Sequence, residues 1–151
     1  VGSLAIFLER LNLAPRIFEK ILDTLGEYNG SRQITGGMKA RLFDYNSTCF
    51  YCSRKLELND EYHADHFIPY SYVFDSPIWN MVPACRDCNL KKSDNLVGEE
   101  FLEKLFERNA DPGFSTEFER EFEGETVDAI NEKLRVIYQQ CAMFFTIKDL
   151  T

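Results

Sequence analysis

"CRDCNLKK", residues 85–92, is the stretch that organises the rest of the chain. Cys85 and Cys88 stand two residues apart, a spacing that lets a tight knuckle put two thiolates on one side. An earlier stretch, "CFYC" at 49–52, repeats the device with Cys49 and Cys52, and 32 residues separate the two pairs. Two such knuckles complete a tetrahedral, all-thiolate site for zinc. Soft sulfur suits zinc, and four protein ligands leave no position open for a substrate, so the site reads as structural. Disulfides are the alternative use of the same residues. They need an oxidising compartment, and the sequence carries no secretory signal pattern. A redox C-x-x-C would not need a second copy. Cys141, the fifth cysteine, reads as a small apolar side chain on a helix face.

Between the knuckles lies "HADHFIPYSYVFDSPIWNMVPA", which holds both histidines of the chain, His63 and His66, around Asp65. A histidine pair alone is as readily a polar patch on a half-exposed strand. The surrounding pattern is more specific. Asp65-His66-Phe67-Ile68-Pro69, then Asn80, then Cys85-x-x-Cys88-Asn89-x-x-Lys92, resembles the HNH endonucleases of the ββα-metal fold, in the subgroup where a four-cysteine zinc site braces the catalytic motif. The resemblance covers about residues 49–95 and rests on order, spacing and residue type together. Asn89 stands at the third letter of the family name, as in members that end in Asn. The resemblance implies an α+β fold, a zinc-braced ββα centre between N- and C-terminal helices. It also implies that Asn80 ties the loop between the strands to the backbone near the base histidine.

The residue types make chemical sense beside that resemblance. Hydrolysis of a phosphodiester needs an activated water and stabilisation of charge on the phosphate and the leaving oxygen. Hard oxygen ligands suit Mg²⁺ or Mn²⁺. Asp65 offers a carboxylate and Asn89 a carbonyl oxygen. His66 is then free to act as general base, and an ordinary histidine pKa of about 6.5 leaves it mostly neutral at pH 7. An ion holding the 3′ leaving oxygen gives 5′-phosphate and 3′-hydroxyl ends. Adjacent strand residues point to opposite faces, so Asp65 and His66 can serve one phosphate only where the strand ends or bulges. Pro69 fits a strand ending there. Asn89 is expected to begin a helix, whose N-terminus favours phosphate. Lys92 adds a point charge one turn on, and Lys91 and Arg86 are further phosphate candidates. His63 shares a strand face with Asp65 and is expected to support the site, with third metal ligand and DNA contact as open roles.

The 151 residues, 44% of them apolar, suit a single domain with a real core. Its expected parts are an N-terminal helical segment at 1–48, the nuclease core at 49–95 and acidic C-terminal helices at 96–151. Net charge is −8, the wrong sign for a simple nucleic-acid binder. The imbalance is local: residues 31–95 carry 8 basic and 8 acidic side chains, whereas 96–151 carry 6 and 13. A solvated helix face accounts for the acidic tail. The chain starts with Val rather than Met, from which a longer parent protein is expected. No apolar run is long enough to span a bilayer, so a cytoplasmic protein without a membrane partner is expected. DNA is the expected partner, with RNA left open. Self-association through the flanking helices, or contact with further domains of a parent, is a second partner expectation.

Helices are expected in "LAIFLERLNL", after Pro15 along the stripe Ile17, Phe18, Ile21, Leu22 and Leu25, and in "MKARLFDYN". More follow in "CNLKKSDNL" and "EEFLEKLFERN", in "TEFEREFE" capped by Ser115 after a break at "ADPG", and from about Thr126 along Val127, Ile130, Leu134, Ile137 and Cys141. Two other classes compete with a nuclease: a non-catalytic zinc module that binds nucleic acid, and a zinc domain that binds protein. Neither needs a neutral base beside a carboxylate.

Overall fold

The structure, a computed structural model, describes residues 34–57 and 62–150, with Lys20, Leu25 and Gly26 besides. The expected helices before residue 34 and the stripe Ile17, Phe18, Ile21 and Leu22 lie outside the described residues. Leu25, the last member of that stripe, is 64% exposed.

The first described helix, α1 (Gly36–Tyr45), starts where the Thr35 hydroxyl accepts the Met38 amide at 3.2 Å. It buries Leu42 completely. The Cys49–Cys52 knuckle follows as a tight turn: Cys49 N–H donates to the Arg54 carbonyl at 2.7 Å and Ser53 N–H to the Cys49 carbonyl at 2.9 Å. Ser53 takes φ 59° to close it.

Two antiparallel strands come next, β1 (Tyr62–His66) and β2 (Met81–Cys85), in a register that sets Tyr62 opposite Cys85 and His66 opposite Met81. Every residue of β2 is buried. Between the strands run a short helix, α2 (Tyr70–Val73), and a 3-10 turn at Ile78–Asn80. Helix α3 (Arg86–Lys92) leaves β2 without a loop and packs on both strands. These three elements form a ββα unit. The first knuckle is tied to it by Phe50 N–H, which donates to the Pro83 carbonyl at 2.8 Å.

The C-terminal third wraps this unit. It comprises β3 (Leu96–Val97), α4 (Glu99–Ala110), α5 (Pro112–Glu117), a 3-10 turn at Glu119–Phe122, α6 (Val127–Ala142) and β4 (Ile147–Lys148), which pairs parallel with β3. Helix α6 starts at Thr126 as expected, with its hydroxyl accepting the Ala129 amide at 3.2 Å. Its buried face is Ile130, Leu134, Tyr138 and Cys141, whereas Val127 and Ile137 are only partly covered. Tyr138, outside the expected stripe, shares the buried face, and its hydroxyl donates to the Val97 carbonyl at 2.7 Å. Cys141 is fully buried, as its apolar reading requires.

Ser115 does not cap a helix. Asp111 does, accepting the Phe114 amide at 3.0 Å, with Pro112 at the first helical position. An Asp-Pro start combines a capping carboxylate with a preset φ, and it moves the helix start ahead of Ser115. Phe118 and Phe122 are buried as one aromatic cluster with Phe114, at ring distances of 4.7 and 6.2 Å from it. Among the described residues no helix is long and apolar enough to cross a membrane.

Candidate metal centre and active site

Two sites are built on the ββα unit, one at each end of α3. At its start, Cys49, Cys52, Cys85 and Cys88 bring their sulfurs within 4.8 Å of one another. All five cysteines of the chain are free thiols. A tetrahedral zinc with bonds of about 2.3 Å sets sulfurs about 3.8 Å apart, and the Cys52 and Cys85 sulfurs are 3.8 Å apart. The donor set and its spacing fit zinc. Burial pushes the Cys49 and Cys88 thiols up, whereas at Cys52 burial is outweighed by hydrogen bonds from the Arg54 backbone and the neighbouring sulfurs, which bring that thiol down. The Cys85 sulfur also accepts the Cys88 amide at 3.5 Å and is the cap of α3.

That cap corrects one expectation. The helix begins at Arg86, and Asn89 lies inside it. The N-terminal amides of α3 therefore face the thiol cluster, and its phosphate-favouring end is not at the Asp65 site. The reason is that Cys85 ends β2 and caps the helix in the same residue, which leaves no turn in which the helix could start later.

At the far end of the unit, a cavity of about 350 Å³ is lined by His63, Asp65, His66, Asn89, Lys92 and Lys39, among others. Strand β1 ends at His66, which lets Asp65 and His66 border one cavity although they are neighbours in sequence. Asn80 is wholly buried. Its side-chain oxygen accepts the Ile68 amide at 2.8 Å and its amide nitrogen donates to the Ile68 carbonyl at 3.0 Å. Its backbone carbonyl accepts the Phe67 amide at 2.8 Å. A buried amide satisfied in this way clamps the chain directly after His66.

The His66 ring has Nε2 2.8 Å from the Ser76 hydroxyl and lies edge-on to Tyr70, with centroids 5.3 Å apart. The Asp65 carboxylate is nearly buried and heavily engaged. Its Oδ2 accepts the Tyr51 hydroxyl at 2.6 Å and lies 3.1 Å from the Lys92 ammonium. Burial pushes the Asp65 carboxyl above the usual range, and Lys92 and Tyr51 pull it back. The Tyr51 phenol is pushed well up by its own burial and by Asp65, so it stays a donor.

Lys92, expected to offer phosphate a point charge, turns inward. It is 1% exposed, and besides Asp65 its ammonium donates to the His66 carbonyl at 2.7 Å. Its stem crosses the interior between α3 and β1, and burial of so long a chain requires its charge to be paired there. Lys92→Met is expected to destabilise the fold by about 3–5 kcal/mol, because it strands a buried carboxylate. The double variant Lys92→Met/Asp65→Asn should recover most of that loss. Urea denaturation of zinc-loaded protein checks both.

Arg86 and Lys91 are exposed on α3 and are not among the residues lining the cavity. His63 does line it, and its Nε2 is buried without a hydrogen-bond partner among the described residues. The acidic stretch 117–125 does not line this cavity. Arg41 of α1 holds it through Glu117 and Glu121, and Glu121, Glu123 and Glu125 border a separate groove with Ser76.

Lys39, Ser76 and Tyr51 are site residues that sequence reasoning missed. Lys39 sits in an amphipathic helix, and Ser76 in an ordinary polar loop. Tyr51 carried the one usable signal, a position inside a zinc knuckle.

A ββα unit closed by four thiols, with an Asp-His pair where the first strand ends, is the architecture of a zinc-braced HNH centre. Residues 49–97 match the family model described as HNH endonuclease. The match spans both knuckles, both strands and α3 and stops before α4. Nuclease chemistry is the general activity of that family.

Proposed function

We propose that this protein is a metal-dependent endonuclease that hydrolyses DNA phosphodiester bonds, with His66 as general base. The observation that carries the reading is the shared cavity: His66, Asp65 and Asn89, from the end of one strand and the middle of one helix, border a single polar space. Asp65 and Asn89 supply hard oxygen donors, a set that fits Mg²⁺ or Mn²⁺. A bound ion there supplies charge stabilisation to the phosphate and the leaving oxygen.

The protein's own groups do the rest. Ser76 and Tyr70 fix the imidazole, and the Asn80 clamp fixes the backbone behind it. His66 takes the proton from water as the water oxygen bonds to phosphorus. The bond from phosphorus to the 3′ oxygen breaks, and that oxygen takes a proton from solvent. The products are 5′-phosphate and 3′-hydroxyl ends. Arg86 and Lys91 serve as exposed phosphate contacts, and such contacts position the duplex without reading its sequence. His63 supports the ligand side of the site.

A non-catalytic zinc module that binds nucleic acid is the second reading. The buried Lys92 ammonium beside Asp65 favours it to a degree, because it already balances that carboxylate. Incubation of supercoiled plasmid with Mg²⁺ or Mn²⁺ separates the two. Nicked or linear product with 5′-phosphate ends is expected, and intact plasmid with every divalent ion, together with retained binding in EDTA, would establish the second reading.

A further inference from the structure

Tyr51 sits between two zinc ligands yet touches the other site. Its hydroxyl donates to Asp65 Oδ2 at 2.6 Å. Its ring is 7% exposed and packs edge-on against Phe50 at 5.4 Å and Phe101 of α4 at 5.6 Å. The phenol therefore has little freedom, and its place is set by the turn that Cys49 and Cys52 close. We propose that Tyr51 is a positioning residue that links the two metal sites: closure of the four-thiol cluster fixes the phenol, and the phenol fixes the Asp65 carboxylate for its divalent ion. The inference rests on the reading of Asp65 as a ligand.

The geometry says what the link does. Tyr51 and Lys92 both hold Oδ2, so the carboxylate is held by one edge. Lys92 also reaches Oδ1, but only at 3.5 Å. Oδ1 has the longer Lys92 contact and is not the phenol's acceptor, which leaves it the oxygen for an ion in the cavity. Loss of the phenol hydroxyl leaves Lys92 and the His66 backbone amide as the restraints, and the carboxylate can then turn to bring Oδ1 closer to the ammonium. That closes the ligand position. Groups that orient a ligating carboxylate typically change metal affinity by about 10–100-fold when removed.

The test is Tyr51→Phe, which keeps the ring and its packing and removes one oxygen. Zinc content and thermal unfolding report on the first site, and Mn²⁺ binding followed by electron paramagnetic resonance reports on the second, with Asp65→Asn as reference. The variant is expected to retain its zinc and to bind Mn²⁺ about 10–100-fold more weakly than wild type. Cleavage should recover largely at saturating Mn²⁺. A folded, zinc-loaded Tyr51→Phe with wild-type Mn²⁺ affinity overturns the link while leaving Asp65 a ligand. Equal Mn²⁺ binding by wild type and Asp65→Asn overturns the ligand reading itself, and the link with it. If Tyr51→Phe loses zinc, 3-fluorotyrosine placed at position 51 of the otherwise native chain gives the answer. Its fluorine resonance should move on Mg²⁺ addition in the native background and stay put with Asp65→Asn, and a resonance indifferent to Mg²⁺ in both overturns the proposal.

Discussion

His66→Ala is expected to lower cleavage by about 10²–10⁴-fold, the usual cost of removing a general base. Zinc content and fold should hardly change. The interaction that ties His66 to Lys92 runs through its backbone carbonyl, which alanine keeps, and the Asn80 clamp acts on Ile68. The side chain itself contributes the Ser76 bond and the edge contact with Tyr70. DNA affinity measured without divalent ion should also persist. Asp65→Ala should abolish cleavage by a different route. It weakens ion binding and leaves the Lys92 ammonium without its carboxylate, so excess Mn²⁺ should restore part of its activity and none to His66→Ala. Wild-type activity should fall as pH drops, for two reasons with the same sign. Protonated His66 cannot accept a proton. Burial raises the Asp65 carboxyl, so protons compete with the ion at a higher pH than at an exposed aspartate. A His66→Ala protein that cuts as well as wild type would remove His66 from the mechanism.

Cys49→Ser or Cys85→Ser is expected to unfold the centre. Structural zinc contributes on the order of 10–16 kcal/mol in small sites, against a net stability of about 5–15 kcal/mol for a whole domain. Serine keeps the Cys49 N–H in its turn and offers a hydroxyl to cap α3 in place of Cys85 Sγ, so the loss falls on the ion site itself. Hydrogen exchange should show β1, β2 and α3 losing protection together, with α6 losing less. Freshly purified, folded protein without zinc by elemental analysis would sink the zinc assignment.

The residues that line the candidate site are legible in part because their signals are local in sequence and rigid in spacing. C-x-x-C and Asp-His each point to a chemistry within a few residues, and Asn80 stands out only through the family resemblance. The placement of Lys92 was not legible. Nothing in "CNLKK" tells which lysine turns inward, since that depends on the side of α3 that faces β1. The helix start is hidden for a related reason: the Cys85 sulfur is both a candidate ligand and the cap of α3, and a ligand spacing does not announce a cap. The capping of α5 by Asp111 was readable in principle, since Asp-Pro is a stronger start than a lone serine. Strands β3 and β4 are two residues each and pair across the whole C-terminal third, so no sequence period reveals them.

The grip of α4 on the turn before β2 bears on how this zinc-braced ββα centre can be moved between proteins. Arg108 donates to the carbonyls of Met81 and Trp79 at 2.8 and 3.1 Å, and Asn109 donates to that of Trp79 at 3.2 Å. Asn80 lies between those two carbonyls. A graft cut after Val97 would carry every residue of the motif but abandon the partners of the peptide groups that aim Asn80, at about 1–3 kcal/mol for each buried group left unpaired. The transplantable unit therefore extends at least through α4, and a cassette drawn at the limits of the family match would carry the motif residues without the frame that holds them in place.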